Sequence, residues 1–75
     1  MSFTFQVHFR PEPGGGYTVL VPSLPGCVSF GETLEEAKQM ATEAIALYVE
    51  TLREKNEQVV DDANAFDARV QISVP

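Results

Sequence analysis

Seventy-five residues make one small domain, residues 1–75, with eleven acids against five bases and a formal charge of −6. That balance argues against direct nucleic-acid binding, which needs Lys and Arg to neutralise phosphates, and it fits complementarity to a basic protein partner. One cysteine excludes an intramolecular disulfide, and one thiol with one histidine supplies a metal cage poorly, so a homo-oligomer is the expected extra source of stability.

The segment 3-FTFQVHF-9 alternates, with Phe3, Phe5, Val7 and Phe9 on one face and Thr4, Gln6 and His8 on the other. Such alternation of strong β-formers predicts a half-buried strand. The run 11-PEPGGG-16 must turn, and 17-YTVLVP-22 reads as a second strand ending at Pro22. A hairpin pairing Phe9 with Tyr17, Val7 with Val19 and Phe5 with Val21 keeps the apolar residues on one face; a one-residue slip does not. After Pro25-Gly26, 27-CVSFG-31 reads as a short third strand, its brevity suiting a sheet edge.

The tetrapeptide 33-TLEE-36 is a capping box, and the two glutamates complement the positive end of the helix it opens. That helix is expected from about Leu34 to about Asn56. At 100° per residue, Leu34, Ala37, Ala41, Ala44, Ile45, Tyr48 and Leu52 make the stripe that faces the sheet. Met40 and Leu47 widen the apolar arc on one flank, either for a partner or for the C-terminal segment to cover. Acids, Asn and Ala follow up to Asp67, with Val59, Val60 and Phe66 as anchors, and 68-ARVQISV-74 alternates again as a fourth strand. The fold class is therefore α+β: a two-layer βββαβ sandwich with one helix on one face of a small mixed sheet, the last strand joining parallel.

No apolar run approaches the ~20 residues of a membrane span. The N-terminus has no basic region followed by an apolar stretch, so a cytoplasmic location is expected. Cys27 lacks a patterned base and reads as a small apolar residue; His8 reads as an exposed strand residue. The glycines 14-GGG-16 precede a strand, whereas a phosphate loop opens a helix. The first strand carries no acid, and Asp61, Asp62 and Asp67 read as a solvated connection, so no catalytic residue, metal site or cofactor is expected.

The pieces 15-GGY-17, 21-VPSLPGC-27, 31-GETLEEA-37 and 44-AIALY-48, in this order and spacing, resemble the HicB family of antitoxins. The resemblance covers about residues 3–57. It implies a partial ribonuclease-H-like βββαβ fold, dimers or higher oligomers, and neutralisation of a small basic mRNA-cleaving HicA toxin by masking its active surface. Position 23 is Ser where the family often has an acid, and the sequence stops at Pro75 without the DNA-binding module that many members carry, which puts autorepression in doubt.

The expected function is thus an antitoxin-type module that binds a HicA-like toxin, without membrane attachment. The expected contact residues, chosen by sidedness and exposure, are Ser23 and Leu24 in the turn and Met40, Glu43, Leu47 and Glu50 on the helix. Two alternatives stay open: an oligomeric interaction or small-ligand module with no toxin, and a minimal nuclease using His8, Cys27 and a few acids.

Overall fold

Alternating residues place the first regular element, strand β1 (His8–Pro11), in a computed structural model that describes residues 2–75. It pairs antiparallel with β2 (Tyr17–Leu20), and β2 pairs antiparallel with β3 (Val28–Gly31), giving the sheet order β1-β2-β3. The β1–β2 turn closes with Gly15 N–H donating to Glu12 O at 2.9 Å and Glu12 N–H donating to Gly16 O at 3.0 Å. The meander and the sidedness follow the sequence, but the register lies two residues away from the expected one. Phe9 opposes Val19 and Pro11 opposes Tyr17, while His8 faces Leu20 rather than Thr18. A two-residue shift preserves the pleat, so burial of the apolar face does not distinguish the two registers; the closed turn at Glu12–Gly16 selects one.

The helix α1 spans Leu34–Glu54. At its start the Thr33 hydroxyl accepts from the Glu36 N–H at 3.1 Å, while the reciprocal bond of the expected capping box is not among those of the described residues. Its end is a Schellman motif: Asn56 sits at φ 57°, its N–H donates to Arg53 O at 3.1 Å, and Glu57 N–H donates to Leu52 O at 2.9 Å. The helix covers one face of the sheet. Val19, Ala37 and Ala41 form one buried cluster, and Val21, Leu24 and Cys27 form the other under Ile45, Tyr48 and Leu52. Leu34, expected in the inward stripe, is exposed at the first turn.

Small residues set how closely the two layers approach. Gly31, buried at the end of β3, lies beneath the first turn of α1: a Cβ there would stand 2.3 Å from Ala37 N and 2.5 Å from its Cα. The stretch 21-VPSLPGC-27 is two successive turns. Leu24 N–H donates to Val21 O at 3.0 Å, Cys27 N–H donates to Leu24 O at 2.9 Å, and Val21 N–H closes the pair on Cys27 O at 3.2 Å. Pro22 and Pro25 occupy the second position of each turn, where their fixed φ is suited, and Gly26 takes φ 82°. Every third residue, Val21, Leu24 and Cys27, points inward. Tyr48 on the helix clamps the stretch by donating its hydroxyl to Pro25 O at 2.8 Å.

The α+β class and the helix on one face agree with the sequence; the expected fourth strand does not form in the chain. The sheet is wholly antiparallel, and residues 68–74 make no ladder. Upstream, the connection docks on the residues just before β1. Asp62 N–H donates to Thr4 O at 2.7 Å, but the next bonds are to side chains: the Asp61 carboxylate takes the Thr4 N–H and the Asp62 carboxylate takes the Gln6 N–H, both at 2.8 Å. Carboxylates thus occupy donors that a strand's carbonyls would take. The chain then crosses to the outer face, where Asp67, Ala68 and Arg69 border His8, Leu20 and Pro22. Of the expected anchors only Val59 is half-buried, while Val60 and Phe66 are exposed.

Candidate protein-interaction surface

The helix face turned away from the sheet repeats acids and apolar residues at helical spacing. Glu36, Met40, Glu43, Leu47, Glu50 and Glu54 fall within an arc of about 80° at 100° per residue, and all six are exposed. Leu47 is 65 % exposed and nothing from the C-terminal segment covers it, which resolves the reading of the widened flank in favour of an open surface. Lys38, Arg53 and Lys55 are the basic residues of this helix and its cap, and none falls within the acidic arc.

The expected contact residues therefore divide. Met40, Glu43, Leu47 and Glu50 share one accessible strip on a rigid element, as sidedness suggested. Ser23 is exposed at the turn, its hydroxyl donating to the Asp62 carboxylate. Leu24 is not available to a partner. It is 2 % exposed, because the double turn folds it inward beside Val21 and Cys27. Two adjacent turns, each short enough to reverse the chain, are what the one-strand-end reading of Pro22 missed.

The residues with chemical potential lie apart. Cys27 is buried, and burial pushes its thiol up, away from the thiolate that a nucleophile requires. His8 is exposed on the outer sheet face, in a row with Leu20 and Val28. Among the described residues no group of three or more His, Cys, Asp and Glu side chains is arranged to hold a metal ion. The strongest local electrostatics are structural. Hydrogen bonds from the Ser23 hydroxyl, and then from the Gln6 N–H, hold the Asp62 carboxyl below its usual range. Glu12 is lowered likewise by the Thr18 hydroxyl and then by Arg10. Sequence reasoning missed the Asp61 and Asp62 role because their partners lie more than fifty residues earlier in the chain.

A family model described as "HicB_like antitoxin of bacterial toxin-antitoxin system" matches residues 4–73. The chain belongs to the HicB-like antitoxin family. A UPF0150 protein of Synechocystis is 44 % identical over 57 residues, covering 76 % of this chain and 72 % of that protein. A UPF0150 protein of Thermoplasma acidophilum is 40 % identical over 58 residues, covering 77 % of this chain and 84 % of that one. Antitoxin HicB 1 of Photorhabdus laumondii is 36 % identical over 58 residues, which make up 77 % of this chain and 37 % of that longer protein. Within this HicB-like chain, the VPSLPGC and GETLEEA stretches now have structural meaning: an inward double turn, and a glycine under a capped helix start. No helix among the described residues is long and apolar enough to cross a membrane.

Proposed function

We propose that this HicB-like chain works in the cytoplasm as a binding module that neutralises a small, basic, HicA-like RNA-cleaving toxin by covering its active surface, with no catalysis of its own. One observation carries the reading: an exposed helical strip in which four glutamates flank Met40 and Leu47. Acids at the rim steer a cationic partner and fix its orientation, while the two apolar side chains supply area to bury at the centre. The formal charge of −6 extends the attraction beyond the contact. Burial of Cys27 and the separation of His8 from it leave the minimal-nuclease alternative without a paired nucleophile and base.

The test is a calorimetric titration against a basic HicA-like toxin, at low and at high salt. Binding is expected that weakens as salt rises. Glu43→Lys with Glu50→Lys is expected to lower the association rate and to weaken binding about tenfold or more. Absence of binding at low salt and micromolar concentration, or binding indifferent to both charge reversals, overturns the assignment.

A further inference from the structure

The segment 68–74 has a strand's sequence and no strand's partner. Ala68, Val70, Ile72 and Val74 alternate with Arg69, Gln71 and Ser73, yet Val70, Ile72 and Val74 are 84 %, 77 % and 79 % exposed. Alternation of β-branched residues is the pattern of a chain that buries one face on a sheet.

The size of the molecule shows the same deficit. The chain exposes 6030 Å², whereas a compact monomer of its 8.2 kDa mass exposes about 4500 Å². Its radius of gyration is 14.4 Å and its extents are 49 × 29 × 18 Å, against a radius of about 11 Å for a compact domain of this length. The excess, about 1500 Å² for each chain, is more than the ~800 Å² that each partner buries in a standard stable interface.

The receiver is also present. β3 pairs only with β2, so its other edge is open. Beside that edge runs a groove of about 520 Å³, lined by Cys27, Val28, Ala44, Leu47, Tyr48 and Leu52 among others. A strand laid along β3 with its apolar side towards the helix fills this groove and covers the inward side of Leu47. The approach to the opposite edge is partly covered, because Asp61 and Asp62 already take N–H groups of Thr4 and Gln6 in the segment that leads into β1. The chain's own tail is badly placed to reach β3. It leaves the outer face next to His8, Leu20 and Pro22, and the free edge beyond β3 is two strand spacings from β2, about 10 Å, which consumes about three of its residues.

We propose that residues 68–74 of one copy add as a strand to the β3 edge of a second copy, reciprocally, so that the fourth strand of this fold is supplied in trans. Each copy carries one unpaired strand and, at β3, an unpaired edge beside an open groove, which is the condition for a closed two-fold exchange that pairs both. Of the proposed toxin strip only Leu47 borders this groove, so exchange and toxin binding share one side chain and differ in the rest. They also differ in sign: toxin binding weakens with salt, whereas two copies of charge −6 associate more tightly as salt screens their repulsion.

Sedimentation equilibrium of the full chain, without toxin, tests the proposal. A dimer is expected, strengthened by salt, and Ile72→Lys is expected to raise its dissociation constant about 100-fold or more, with the helical circular dichroism unchanged. A second measurement locates the contact: in a Cys27→Ala background, Val28→Cys chains mixed with Ile72→Cys chains are expected to form a disulfide-linked pair that neither forms alone. A chain that stays monomeric at about 100 μM, a dimer indifferent to Ile72→Lys, or a cross-link formed within one chain carrying both cysteines overturns the exchange. A tail that becomes protected only when toxin is added overturns it too, by assigning the strand to a different partner.

Discussion

Replacing Gly31 by Ala adds one methyl group at the closest approach of the sheet and helix. The new Cβ would lie 2.3 Å from Ala37 N, 2.5 Å from Ala37 Cα and 2.9 Å from Ala37 Cβ. Two of these atoms are helix backbone, so no rotamer change relieves the clash; ordinary contact distances of about 3.5–4.0 Å require the first turn to retreat by more than an ångström. That movement pulls Ala37 away from Val19 and Ala41 in the buried cluster. Overpacking of this kind costs about 1–3 kcal/mol, against a total stability of roughly 4–11 kcal/mol for a chain of this length. With about 4–8 °C lost per kcal/mol in domains of this size, Gly31→Ala is expected to lower the melting temperature by about 10 °C. Thermal and urea unfolding followed by helical circular dichroism measures it. Gly14→Ala is the control, because nothing lies within 4 Å of a Cβ there and its φ is not positive. A Gly31→Ala protein that melts within about 2 °C of the parent would refute the close-approach account.

Two further changes probe the ends of the chain's path. Asp62 has its carboxyl lowered by Ser23 and Gln6, so its folded pKa lies below the unfolded value; its contribution is complete above the ordinary 3.8 and is lost as pH falls through the folded pKa. Asp62→Asn is therefore expected to flatten that acid limb of the melting-temperature profile, and an unchanged limb counts against the docking of residues 61–65 on Thr4 and Gln6. Asn56 holds the left-handed position that ends α1. Asn56→Gly is expected to be neutral or stabilising, and Asn56→Val destabilising by about 1–2 kcal/mol, as read from denaturant midpoints; equal midpoints for the two variants contradict the Schellman end.

What the sequence by itself determined is local. Thr33 as a helix cap, the inward stripe from Ala37 to Leu52, the outward strip of Met40, Glu43, Leu47 and Glu50, and the antiparallel meander all depend on spacings of two to four residues, where side chain and backbone meet through short loops. The family signature is legible for the same reason, since VPSLPGC and GETLEEA encode turns and a close approach within a few residues. Only the tertiary structure decided the rest. The two-residue register shift obeys the same pleat, so hydrophobic sidedness leaves it open. Leu24 is buried because the second turn returns the chain over it and the helix closes down on the cluster it joins. Asp61 and Asp62 act on Thr4 and Gln6, just ahead of β1, across more than fifty residues, and the 68–74 segment that follows finds no partner strand in its own sheet. Alternation identifies a strand's faces, but a strand exists only where a neighbour has free donors and acceptors, and that depends on where distant parts of the chain come to rest.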